Sequence, residues 1–152
     1  MNIVLVNPKI PHNTGTIGRL CVGANATLHL IEPLGFRLED KFLKRAGLDY
    51  WQYLKLHIWD SLDDFWQKHP LCDNHFFLTT KADKSYFEAD FKKDCFLYFG
   101  SEDAGLSNEL LKYTKQCFKI PMHENARSLN LALSAGIVVY EALRQIKLSE
   151  TL

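Results

Sequence analysis

The amino-acid sequence predicts an α/β fold: a single domain over residues 1–152, built on a mostly parallel six-stranded sheet. Three observations carry this. Short apolar runs alternate along the chain with segments whose apolar residues recur at helical spacing. The first run, Asn2–Val6, is continuously apolar, as a strand covered on both faces must be. No low-complexity stretch, internal repeat or linker divides the chain, and its length suits one domain.

The elements follow in order. Asn2–Val6 is a strand closed by Pro8. Asn13 and Thr14 stand where they can cap the next helix, whose apolar positions Ile17, Leu20, Cys21 and Ala24 share a face. Thr27–Ile31 is a second strand, stopped by Glu32 and Pro33. A loop with Gly35 leads into a short basic helix over 40–46. Residues 54–59 form the third strand, and Ser61 caps an amphipathic helix through Leu62, Phe65 and Trp66. Residues 75–79 and 95–99 are the fourth and fifth strands. Ser107 caps a helix with Leu110, Leu111 and Tyr113. Residues 117–120 form the sixth strand, ended by Pro121, and 129–146 a long final helix.

Composition narrows the function classes. Hydrophobic residues are 47% and charged residues 24%, ordinary for a globular domain and wrong for a disordered or collagen-like chain. No apolar run approaches the roughly 20 residues of a membrane span. The N-terminus lacks the basic region and cleavage site of a signal peptide. Eighteen basic and eighteen acidic residues cancel, which argues against indiscriminate polyanion binding but allows a local basic patch. Cys21, Cys72, Cys95 and Cys117 form no C-x-x-C pair, so free thiols, no metal site and a cytoplasmic location are expected.

Three loops gather unusual residues. In open α/β sheets, ligands bind beyond the carboxyl ends of the strands. There the sequence places Thr79-Thr80-Lys81, Gly100-Ser101-Glu102 and Pro121-Met122, which predicts one shared pocket. Asn7-Pro8-x-x-Pro11-x-Asn13-Thr14-Gly15-x-x-Gly18-Arg19 is neither a dinucleotide fingerprint nor a Walker loop. It reads as a tight strand-to-helix connection with an Arg in the second turn, or as an anion site. Gly100 lets a ligand approach the backbone closely. Ser128 is a natural cap for the last helix, with Asn130 in its first turn facing a ligand.

Two surfaces suggest partners. The final helix is apolar well around its circumference, through Leu133, Ile137, Tyr140, Val138 and Ala142. One sheet cannot cover all of it, so a homodimer is expected and no other protein partner is inferred. Lys41, Lys44 and Arg45, followed by Tyr50 and Trp51, mix cations with aromatics as RNA-binding surfaces do. With Arg127 they are the candidate RNA contacts.

Taken together, the segments NPKIPHNTGTIGRLC, IEPLGF, KRAGLDYW, LTTK, YFGSEDAGL, IPM and RSLNLALSAGIVVYEALRQ resemble the SPOUT-superfamily tRNA 2'-O-methyltransferases. The resemblance spans nearly the whole chain and is nearest to the small TrmL-type enzymes that modify the wobble nucleotide, tRNA position 34. It implies the SPOUT fold with a C-terminal trefoil knot. It also implies methyl transfer from S-adenosylmethionine (SAM) to a ribose 2'-hydroxyl, without a metal. It implies a SAM pocket at Leu78, Thr79, Thr80 and Lys81, at Gly100, Glu102, Gly105 and Leu106, and at Ile120, Met122, Ser128, Leu129 and Asn130. Asn13 and Arg19 match the family's catalytic segment.

A ribose hydroxyl needs its proton removed or its charge stabilised. Arg19 is the candidate for the second role, because guanidinium rarely deprotonates, with Asn13 and Ser128 as orienting groups. Two departures stand out. Ser101 replaces the family's Pro, which is expected to loosen the turn, and Ala132-Leu133 replaces Ser-Asn. The alternatives are another RNA 2'-O-methyltransferase of the same fold, a non-catalytic RNA-binding module, and a small-molecule nucleotide-binding protein. The intact third loop argues against the binding module, and the missing phosphate fingerprint against the last.

Overall fold

The computed structural model of the chain describes residues 1–39, 41, 45 and 48–151. The expected helix over 40–46 falls mostly outside the described residues, and so does Lys44.

Six strands form one sheet: β1 (Asn2–Val6), β2 (Thr27–Ile31), β3 (Lys55–Trp59), β4 (His75–Leu78), β5 (Phe96–Phe99) and β6 (Cys117–Phe118). The spatial order is β3-β2-β1-β5-β4-β6, and every pair is parallel. Ile3 lies beside Leu28 and Leu97, and Leu5 beside Leu30 and Phe99. Among the described residues, the α-helices that connect or cover the strands are α1 (Pro11–Gly23), α2 (Leu62–Lys68), α3 (Asn108–Leu111) and α4 (Leu131–Thr151).

Both faces of the sheet are buried. Ile3, Leu5, Leu28, Leu30, Leu97 and Phe99 share one core with Ile17, Cys21, Val138, Val139 and Ala142 of α1 and α4. Val4, Val6, Ile31, Phe77 and Tyr98 share the other with Phe65 and Leu110 of α2 and α3. This two-sided cover is why the central strands β1 and β5 read as nearly continuous apolar runs. Each fully buried Leu, Ile or Phe contributes roughly 1.5–3 kcal/mol. Burial also pushes the Cys21 thiol up to about 12 and the Cys95 thiol to about 11.

Three expectations about helix ends are corrected. α1 begins at Pro11, whose fixed φ suits the first helical position. Asn13 therefore lies inside the first turn, and the N-cap Ile10 supplies no side-chain bond. Ser128 does not cap the last helix, which starts at Leu131. Asn130 caps it instead: its Oδ1 accepts from the backbone N–H of Ala132 at 2.9 Å and of Leu133 at 3.2 Å. Asn130 is thus the boundary residue, not a first-turn residue facing a ligand. Ser61 and Ser107 cap α2 and α3 as expected.

α4 turns Leu131, Ala135, Val138, Val139, Ala142 and Ile146 into the core. Leu133 and Tyr140, 55% and 56% exposed, lie on the outward side. Among the described residues no helix is long and apolar enough to cross a membrane.

Candidate active site

A parallel sheet brings the carboxyl ends of its strands to one edge. There the segments after β4, β5 and β6 enclose a cleft of about 200 Å³. Leu78, Thr79, Thr80 and Lys81 form one wall. A second runs from Phe99 to Gly105, and Ile120, Met122, Ser128 and Leu129 form the third. Leu131 and Ser134 on the first turn of α4 close it. Of the residues expected at a cofactor, Leu106 and Asn130 do not line the cleft. Leu106 is buried in the core between α2 and α3, and Asn130 is committed to capping α4. Ser134, Phe99, Ala104 and Asp103 line the cleft without having been expected there. Leu131 and Ser134 share a helical face, so placing the helix start at 131 finds them both.

The backbone of the second wall is tightly folded. A Cβ on Gly100 would stand 2.0 Å from the carbonyl carbon of Gly105 and 2.2 Å from the nitrogen of Leu106. The glycine therefore serves close backbone-to-backbone approach within the loop. Gly105 has φ +66°, and its N–H donates to the Ser101 carbonyl at 2.9 Å. Ser101 does not loosen this turn. Its hydroxyl donates to Asp103 Oδ1 at 2.9 Å, and Asp103 Oδ2 receives the Lys9 ammonium at 2.6 Å. The Lys9 and Ser101 hydrogen bonds hold the Asp103 carboxyl down at about 2.

Glu102 joins the cleft to the start of α1. Its Oε2 accepts from the Lys9 N–H at 2.8 Å, and its Oε1 from the Ile10 N–H at 3.0 Å and Asn13 Nδ2 at 3.3 Å. A carboxylate thus caps a helix whose own N-cap side chain cannot. On the far side the same loop rests on Gly35, where a Cβ would stand 2.7 Å from the Lys9 Cα. Asn13 Oδ1 accepts from Asn130 Nδ2 at 3.0 Å, so the chain runs Glu102–Asn13–Asn130. At the opposite lip, Lys81 Nζ donates to the Leu106 carbonyl at 3.0 Å and ties the first wall to the second.

Arg19 does not line the cleft within one chain. It lies about 9 Å farther along α1 than Asn13 and on a different face of the helix. Its guanidinium sits 4.7 Å from the centroid of the Tyr50 ring. Tyr50 belongs to a 3-10 helix, Leu48–Tyr53, that packs on α1 through Trp51 against Gly18. Lys41, Arg45 and Arg127 are exposed.

Comparison with known proteins agrees with this architecture. A Saccharophagus degradans protein named tRNA (cytidine(34)-2'-O)-methyltransferase is 45% identical over 150 residues, 95% of this chain and 95% of its own. A structure solved in work on the 2-OH methylation of C/U34 on tRNA superposes with a TM-score of 0.91 at 42% identity, covering 95% of this chain and 94% of that one. The SpoU methyltransferase AviRb from Streptomyces viridochromogenes, solved in complex with AdoMet, matches with a TM-score of 0.83 at 26% identity, over 95% of this chain and 57% of that one. Residues 1–140 match the SpoU rRNA Methylase family. With the fold, the cleft and these relatives in agreement, the chain belongs to the SpoU rRNA methylase family.

Proposed function

We propose that this chain transfers a methyl group from SAM to the ribose 2'-hydroxyl of the wobble nucleotide, position 34, of tRNA. One observation carries the reading: the three-walled cleft is bonded through Glu102, Asn13 and Asn130 to the helix that bears Arg19. The names of the relatives supply the substrate and AviRb the cofactor.

The cleft residues fit SAM. Leu78, Phe99, Ile120 and Leu131 offer apolar surface for a flat base. The hydroxyls of Thr79, Ser128 and Ser134 offer partners for a ribose and an amino-acid tail. Glu102 and Asp103 stand at its edge. When bound, SAM supplies a methyl on a sulfonium, a good leaving group that needs no metal. The remaining work belongs to the chain. Glu102 holds the entrance loop of α1 in place. Asn13 fixes the first turn of α1 to Asn130, the cap of α4. Arg19 meets the RNA, stabilising the developing alkoxide as a cation while its planar donors reach a phosphate, and the hydroxyl proton leaves to solvent water. Ser128, at the lip of the cleft, orients the ribose. Lys41, Lys44, Arg45 and Arg127 hold the RNA backbone, a contact set that depends on salt.

We include in the proposal that residues 1–152 act as one cytoplasmic domain, that its C-terminal part carries the trefoil knot, and that it works as a homodimer. The outward side of α4, with Leu133 and Tyr140, supports the dimer. Tyr140 lies against α1, its hydroxyl 4.0 Å from where a Cβ on Gly23 would stand. An isologous dimer through α1 and α4 would bring the helix that carries Arg19 to the partner chain. That arrangement suits an arginine that its own cleft does not include.

The test is transfer of label from methyl-labelled SAM into tRNA and ribosomal RNA, with the modified nucleotide mapped. Label confined to the ribose of nucleotide 34 supports the reading. Label in ribosomal RNA alone overturns the substrate, and SAM binding without transfer to any RNA overturns the activity.

A further inference from the structure

We infer that Tyr50 is a positioning residue for Arg19, and that its ring holds the guanidinium in place rather than serving as a platform for an RNA base. The inference rests on the proposed role of Arg19 at the reacting ribose and deepens it.

The Arg19 Cζ lies 4.7 Å from the Tyr50 ring centroid, well inside the roughly 6 Å at which a cation is drawn to an aromatic face. Among the described residues no carboxylate forms an ion pair with Arg19. The ring is therefore its structural partner, at the end of a long exposed side chain. The ring is itself placed by packing that needs no RNA. A Cβ on Gly18 would stand 3.2 Å from Trp51 and 3.1 Å from Leu54, so the 3-10 helix seats on α1 one residue before Arg19. Any larger residue at 18 would lift that seat. Holding the cation over a ring, rather than in an ion pair, leaves the guanidinium N–H donors available for a phosphate and a hydroxyl. The same contact covers one face of the Tyr50 ring. Tyr50 thus acts on the reaction through Arg19, not through base recognition.

The two roles separate in steady-state kinetics. A positioning residue changes turnover on bound substrate, whereas a base platform changes RNA affinity. Tyr50→Leu is expected to lower kcat about fivefold, the upper end of what loss of an exposed cation–π contact brings, with the KM for tRNA and the SAM affinity within about twofold of wild type. Tyr50→Phe and Tyr50→Trp keep an aromatic face and are expected to hold kcat near wild type. A melting curve for each variant detects loss of fold, and rescue by Phe and Trp then decides. A raised KM for tRNA with unchanged kcat in Tyr50→Leu overturns the inference in favour of base stacking. Wild-type kinetics in Tyr50→Leu, or failure of both aromatic variants to restore kcat, also overturns it. Arg19→Ala, measured in parallel, tests the underlying reading alone. If that variant turns over normally, Arg19 is not at the reaction, whatever Tyr50 does.

Discussion

Asn130 Nδ2 donates a 3.0 Å hydrogen bond to Asn13 Oδ1, although 117 residues separate them. Both side chains have a second task. Asn13 Nδ2 reaches Glu102 at 3.3 Å, and Asn130 Oδ1 caps α4. The first turn of α1 is thereby fixed to the cap of α4, the two helices that flank the cleft. Asn130→Ser separates the two tasks. Serine caps a helix about as well as asparagine, but its shorter side chain cannot reach Asn13. We expect this variant to melt within a few degrees of wild type and to lose most of its methyl transfer. Asn130→Ala, which loses the cap too, is expected to lose about 1 kcal/mol more in chemical denaturation. Full activity in Asn130→Ser would show that the bridge between the helices is not needed for the reaction.

Glu102→Gln keeps the shape of the side chain but replaces one acceptor oxygen with an NH₂ group. That group would face a donor, either Lys9 N–H or the Ile10 and Asn13 pair. Loss of a charge-assisted bond and of the anion at a helix N-terminus is expected to cost about 2 kcal/mol. Urea unfolding measures it. Stability equal to wild type would mean that α1 needs no external cap.

The strands were legible because their burial is local in its signature: a run covered on both faces is nearly all apolar, as in β1 and β5, and in β2 and β4 apart from His29 and His75. The pocket was legible for a similar reason, since parallel strands must present their carboxyl ends together. The caps were not. Whether Asn13 or Ile10 begins α1 depends on a carboxylate 89 residues away from Asn13, and no window around Asn13 contains it. Ser101 looked like a loss because a proline stiffens a turn by itself. Here stiffness comes from Ser101, Asp103 and Lys9 together, and only the third dimension joins them. Gly100 pointed to a ligand, but the close neighbour it serves is its own loop. Tyr50 read as an RNA contact because aromatics beside cations often are, and nothing in the spacing of 19 and 50 says that the two side chains meet.

The two glycines of the cleft loop should respond differently. At Gly100 even a methyl would drive into the backbone of Gly105 and Leu106, so Gly100→Ala is expected to move the loop, weaken SAM binding at least tenfold and lower the melting temperature. At Gly105 nothing lies within 4 Å, and only the positive φ opposes a side chain. Gly105→Ala is expected to cost about 1 kcal/mol and leave SAM affinity nearly intact. Calorimetric titration of both variants with SAM checks the order. Equal SAM affinities would mean that the shape of this loop does not set the cofactor site.

Arg19→Ala is expected to abolish methyl transfer while leaving SAM binding nearly unchanged, because Arg19 does not line the cleft of its own chain. Arg19→Lys asks what the charge alone achieves. Lysine keeps the cation but loses the planar fork and the flat guanidinium held over Tyr50. Activity near zero is expected, measured as label incorporated into tRNA beside calorimetric SAM binding. Substantial activity in Arg19→Lys would reduce Arg19 to a point charge.

Stability should fall in mildly acidic solution, for a reason visible at His29. The Trp59 indole N–H, which can only donate, points at His29 Nδ1 at 3.1 Å, so that nitrogen carries no proton. The ring proton sits on Nε2 and donates to Asn2 Oδ1 at 3.2 Å. The imidazole is 3% exposed, with the His57 ring stacked on it and the His69 ring edge-on. Burial first, then the neighbouring His57 and His69, lowers its pKa from 6.5 to about 3. His75, buried with its Nδ1 2.7 Å from the Tyr98 hydroxyl, is lowered to about 4 for the same main reason. Both folded values lie below the unfolded one, so between them the unfolded chain binds more protons. The stabilisation is therefore complete above about pH 6.5 and is lost as pH falls toward 4 and 3. Melting at pH 7.5 and at pH 5 tests this above the range where most carboxylates titrate. The wild-type chain is expected to melt several degrees lower at pH 5, at about 2–4 °C for each kcal/mol lost in a domain of this size. His29→Gln removes one titrating group and should melt lower than wild type at pH 7.5 but fall less between the two pH values. An equal fall in both proteins would remove His29 as a source of the acid sensitivity.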